Sequence, residues 1–172
     1  MASTRSGAPN RTDVTPSDSD VLDIFEKLFR DFIVKRLSAI PDWEKRYLPP
    51  EIQESSKARH AQEKKMADVL NKPDYTILEY INFDAYCKII TRRDTWSEHF
   101  ESIFQIKNVF TYKMDVIQSL RNDIRHGRRL NHVNRLRLRL HCYDLISQIY
   151  EHQRPNFRRR ALEKKLGLVP PQ

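Results

Sequence analysis

An all-α fold, a helical bundle of about five to six helices, is what this 172-residue chain predicts, and three observations carry the expectation. Only 3 residues are Gly, so the turn-rich punctuation that strands and hairpins need is missing. Apolar residues recur at three- and four-residue steps along most of the chain. The length suits one domain with a substantial core and is too short for two sizeable ones.

Residues 1–16, MASTRSGAPNRTDVTP, are polar and offer no apolar face to offset the entropy of ordering them, which predicts a flexible leader. Ser17 or Ser19 can cap the first helix, where Val21, Ile24, Phe25, Leu28, Phe29, Phe32 and Ile33 make an apolar face. Pro41 and the Pro49-Pro50 pair bracket a corner containing Trp43 and Tyr47, and Pro50 suits the first turn of a second helix over about 50–70. That helix is mostly polar. It is expected to cross the surface or pack on a partner through Ile52 and Met66, with His60 exposed.

After Asn71-Lys72-Pro73-Asp74, the stretch Tyr75–Ile90 predicts one central helix carrying Ile77, Leu78, Ile81, Tyr86, Ile89 and Ile90. A short amphipathic helix from about Trp96 to Phe104 follows, then a longer one from about Val109 to His126 with Phe110, Met114, Ile117 and Leu120. In the last long helix, over 132–152, residues 135–140 alternate Arg and Leu as a strand would. Val133, Leu136, Leu140, Tyr143, Ser147 and Tyr150 nevertheless continue at helical spacing, and length favours a helix. Pro155 breaks the pattern, so the domain is expected to span 17–153 and a basic, partly disordered tail 154–172.

Net charge is +8, unevenly placed: from Arg121 to Lys165, 13 Lys and Arg stand against 4 Asp and Glu, leaving 18 against 19 elsewhere. A basic surface attracts polyanions by releasing their counterions, so nucleic acid or an anionic membrane is the natural partner, against the plain alternative of a well-solvated basic helix. Cys87 and Cys142 sit inside apolar helical patterns without ligand-like spacing and are expected to be buried free thiols. No apolar run approaches the ~20 residues of a membrane span, and no secretory signal opens the chain; a soluble cytoplasmic protein is expected. A glycine loop for phosphates and a Cys/His array with metal spacing are both missing, so neither a cofactor nor a metal is expected.

What remains is Arg121-Asn122-Asp123-Ile124-Arg125-His126-Gly127, where an apolar helix runs into a glycine suited to a left-handed C-terminal cap. On an ideal helix Asn122 and His126 share a face, whereas Arg121 and His126 point about 140° apart. The helix end, or a second copy of the motif, can relax that divergence. Plain structural roles stay open beside a functional one: His126 as a helix-terminal cation against the dipole, Arg121 paired with Asp123 or Glu101, Asp123 as a surface acid, and His132, His141 and His152 as structural or surface residues.

This segment resembles the motif of the HEPN superfamily of helical nucleases, an Arg, four to six residues, then a His, often with a polar residue directly after the Arg. Tyr80 to Tyr86, Trp96, Phe100, Phe104 and Phe110 are similar to the helical lead-in of such domains, and the resemblance covers roughly residues 20–152. It implies a bundle that forms a homodimer, with both motifs in one cleft that cuts RNA without metal. Attack of the ribose 2′-OH on the adjacent phosphate would leave a 2′,3′-cyclic phosphate and a 5′-OH. His126 can serve in either proton role near neutrality, Arg121 can grip phosphoryl oxygens through its fork of donors, and Asn122 can orient substrate or His126. Arg125, Arg128 and Arg129 would hold flanking phosphates, with Arg135, Arg137 and Arg139 as weaker candidates. The resemblance further implies a toxin or antiviral defence context with an antitoxin or other regulatory partner. It departs at Arg128, where one branch of the family has a Tyr that its antitoxin adenylylates, which puts that form of regulation in doubt. The competing expectation is a non-catalytic basic helical module that binds RNA or dimerises within a larger assembly.

Overall fold

A reciprocal capping box opens the fold: the Asp20 amide donates to Ser17 Oγ (3.1 Å) while the Ser17 amide donates to the Asp20 carboxylate (2.9 Å). Hydrogen bonding to Ser17 also lowers the Asp20 carboxyl from its ordinary value. The computed structural model describes residues 15–70, 77–154 and 156–169, apart from the side chains of residues 66–70 and Leu78. Most of the expected leader, residues 1–14, lies outside them.

From the capping box runs α1 (Asp18–Leu37), whose Val21, Leu22, Phe25, Phe29, Phe32, Ile33 and Leu37 are buried. A short α2 (Trp43–Tyr47) turns the corner, and Pro50 begins α3 (Pro50–Leu70). Ile52 of α3 joins the protein's own core, where a partner contact was the expectation; the Met66 side chain is outside the described residues. His60 is half-buried with its ring 5.1 Å from that of Tyr80, a correction to the exposed position expected.

The single helix expected over Tyr75–Ile90 is broken. A 3₁₀ turn (Ile77–Tyr80) is followed by extended Asn82 (φ −66°, ψ 151°), and α4 (Phe83–Thr91) starts only after it. Arg59 of α3 donates to the Tyr80 carbonyl (3.1 Å) and to the Asn82 side chain, tying the break to its neighbour. Next, α5 (Arg93–Thr95) passes through a π-helical turn (Trp96–Phe100) into α6 (Glu101–Phe104). Trp96 and Phe100, at the two ends of that turn, are both buried in the core. Then come α7 (Lys107–Arg125), α8 (His132–Gln153) and α9 (Arg159–Lys165). The helices of nine residues or more are α1, α3, α4, α7 and α8, with the α5–α6 composite as a sixth, and no strand occurs among the described residues.

α1 and α8 pack along each other, as do α7 and α8, with α4 against α7. Phe29 is an aromatic hub, its centroid 5.3 Å from Phe25, 6.2 Å from Phe83 and 6.4 Å from both Tyr86 and Phe110. Two expectations about α8 and its sequel need correcting. The helix is present, but Val133, Leu136 and Leu140 are 43–53% exposed, and the inner face is Leu138, Cys142, Leu145, Ile146 and Ile149. Alternating leucines populate both faces of a helix, so the pattern named the element without naming its inside. The core also continues past residue 153: Leu162 and Leu166, four apart around α9, are buried, and Phe157 lies 4.7 Å from Tyr150.

Both cysteines are free. Cys142 is buried as expected, but Cys87 is only partly covered; burial still pushes its thiol up to about 11. No helix among the described residues is long and apolar enough to cross a membrane.

Candidate functional site

The site is built on the way α7 stops. Gly127 takes φ +73°, the Arg128 amide donates to the Asp123 carbonyl (2.9 Å) and the Gly127 amide to the Ile124 carbonyl (3.0 Å). This is the paired 6→1 and 5→2 closure of a Schellman cap. It leaves His126 exposed as the last residue of the turn, with exposed Asn122 one turn before it. Asn131 restarts the chain as the N-cap of α8, its side chain accepting from the Asn134 amide (2.8 Å), and His132 is exposed beside it.

Arg121 faces the other way. Its Nε donates to Glu26 Oε1 of α1 at 2.8 Å and its guanidinium lies 5.6 Å from the centre of the Phe83 ring. Neither Asp123 nor Glu101, the acids expected to pair with it, is its partner. Arg125 reaches the same helix, 2.7 Å from Asp23 and 3.4 Å from Glu26, and the hydrogen bond to Asp23 raises its guanidinium above the ordinary arginine value. Arg128 pairs with Asp123 at 2.9 Å. Asn122 and His126 are thus brought together on the solvent side, while Arg121 is drawn against α1.

Of the weaker candidates, Arg135 is paired with Asp18 at 3.1 Å, and Arg137 donates to Asn134 at the same distance. Arg139 must be withdrawn as a phosphate ligand. It is buried, its Nη1 donating to the Leu166 carbonyl (2.7 Å) and its Nη2 to the Pro16 carbonyl (2.9 Å) and Asp18 (3.0 Å). A wholly buried guanidinium with these partners has no face left for a nucleic acid. Among the six arginines from 121 to 137, Arg129 alone is both exposed and without a protein partner among the described residues.

The residues the sequence reading missed are Asp18, Asp23 and Glu26. Part of their signal was available: Asp23 and Glu26, three apart on α1, are neighbours on one helix face, whereas Asp18, five before Asp23, points about 140° away from it. His141 lies away from the site against Tyr112, with ring centroids 5.9 Å apart, and burial lowers its imidazole from the ordinary histidine value. No group of three or more His, Cys, Asp or Glu able to hold a metal ion occurs among the described residues. The chain matches no protein-family model, no curated protein and no solved structure.

Proposed function

We propose that this chain is a metal-independent endoribonuclease whose working groups are Arg121, Asn122 and His126, completed by a second copy of the chain. One observation carries the proposal: an exposed imidazole stands at a helix end with a carboxamide one turn away and Arg129 nearby. His126 can accept the 2′-OH proton as that oxygen attacks the adjacent phosphate, and the second copy's histidine can donate to the departing 5′-oxygen. Arg121 would exchange Glu26 for the phosphoryl oxygens as negative charge builds on the phosphorane. Arg125, Arg128 and Arg129 would carry the strand on either side.

Pairing of two chains is favoured by the exposed apolar residues on the same hairpin, Tyr112 on α7 and Val133, Leu136 and Leu140 on α8. A toxin or antiviral role, with a protein partner that restrains cleavage, rests on the resemblance alone. The second reading, a non-catalytic RNA-binding or dimerisation module, is favoured by the ion pair that holds Arg121 to Glu26.

Incubation of the purified chain with single-stranded RNA in EDTA separates the two. Cleavage to 2′,3′-cyclic phosphate and 5′-OH ends, lost in His126→Ala and absent on DNA, supports the nuclease. Salt-sensitive binding that leaves RNA intact supports the module. Cleavage that His126→Ala leaves unchanged removes His126 from the site.

A further inference from the structure

At the opposite end of the bundle, the last turn of α1, the π-helical turn and the end of α8 enclose a cleft of about 510 Å³, within the usual size of small-molecule sites. Its charged lining is basic throughout. Lys35, Arg36 and Arg154 face it with His99 and His152, and no carboxylate is among its lining residues. Phe32 and Ile40 add an apolar floor. Arg36 uses one nitrogen on the His99 carbonyl (3.2 Å), while the side chains of Lys35 and Arg154 make no hydrogen bond or ion pair with the described residues.

Cations at helix C-termini are ordinarily explained by the dipole. Here two helix ends supply roughly half a negative charge each, about one in total, against three permanent cations. The excess of about two positive charges is that of a site for a dianion. A second observation points the same way. His99 is delivered by the π-helical turn, a rare device that recurs at ligand sites. Within that turn Glu98 is held by Arg46 and Tyr47, both at 2.9 Å, while the Tyr47 hydroxyl also lies 2.8 Å from His99 Nε2 and fixes the ring.

We propose that this cleft binds a phosphate monoester, its dianionic head held by Lys35, Arg36 and Arg154 and its organic carrier resting on Phe32 and Ile40. The site is separate from the proposed nuclease centre: Lys35 and Arg36 stand nine and ten residues, about 14 and 15 Å, along α1 from Glu26, the partner of Arg121. The head can belong to a small metabolite or to the 5′ end of an RNA.

Calorimetric titration of the full chain with phenyl phosphate at about 0.15 M salt tests the assignment. Saturable one-to-one binding is expected, weakened about tenfold or more in Lys35→Glu/Arg154→Glu and unchanged in Lys64→Glu/Lys65→Glu, two exposed cations of α3. Inorganic phosphate is expected to bind more weakly than phenyl phosphate; equal affinity removes the carrier from the proposal. A short RNA that binds better with a 5′-phosphate than with a 5′-hydroxyl identifies an RNA end as the source, and equal binding of the two identifies a small ester. Amide and imidazole shifts of the unmodified protein should centre on Lys35, Arg36, His99, His152 and Arg154. Shifts centred on Arg128 and Arg129 or on Arg158–Arg160, or no saturable binding at all, overturn the proposal without any variant having to fold.

Discussion

The two ends of the α1–α8 pair are both rich in cations and treat them in opposite ways. At the end holding Arg121 to Arg139, acids folded in from α1 meet the arginines: Glu26 with Arg121, Asp23 with Arg125, and Asp18 with both Arg135 and Arg139. At the other end Lys35, Arg36 and Arg154 come from distant parts of the chain and line a cleft without an acid. The arginine-rich stretch from Arg121 to Arg139 is therefore partly neutralised in space, whereas Lys35 and Arg36 gather with Arg154 into an uncompensated site. Charge density along a chain and charge density on a surface are different quantities.

The sharpest test of this contrast lies at the first end. His126→Ala should lower RNA cleavage by roughly 10²–10⁴-fold, as measured by product ends, and leave the melting temperature within error because the side chain is exposed. Next in size is Arg139→Ala, which strands two carbonyls and leaves Asp18 with Arg135 alone, and should cost about 3–5 kcal/mol in urea unfolding. Glu26→Gln should cost less, about 1–3 kcal/mol, while freeing Arg121. A rise in RNA affinity in that variant would support exchange of Glu26 for phosphate, and a fall would count against it. Gly127→Ala should cost about 1–2 kcal/mol from the left-handed backbone alone, since a Cβ there meets nothing within 4 Å.

The smallest effect belongs to the other end. Burial holds the His99 imidazole below its ordinary value, aided by Arg36 and Arg46 and opposed by Glu98 and Asp94. The unfolded chain therefore takes up a proton before the folded one does. The stability gained by keeping His99 neutral is present above the ordinary histidine range and is lost as pH falls through the lowered folded value. His141 contributes with the same sign. The urea midpoint should drop between pH 7 and pH 5, and His99→Gln should flatten part of that drop.

Local physics was legible wherever one residue and its near neighbours decide the outcome. Ser17 announced the first helix, Gly127 announced the end of α7, and the apolar stripe of α1 named most of its buried face. The exposure of His126 at that end followed from the same cap. Three features depended on partners remote in sequence. Leu136, Leu138 and Leu140 are equally apolar, and only contact with α1 and α7 selects Leu138 for the interior. Leu162 and Leu166 were inconspicuous among basic residues until the core received them. Arg121 had acids close in the chain, yet it chose Glu26, 95 residues away.

Arg139 grips the carbonyls of Pro16 and Leu166, 150 positions apart, through one guanidinium. Gly167 fits beside it because a Cβ there would come within 2.5 Å of Arg139 Nη1, and its φ of +67° suits glycine in any case. The start of α1 and the segment after α9 therefore cannot loosen separately. Protection of amides from hydrogen exchange should be lost in both segments together, as one cooperative unit opening around α8.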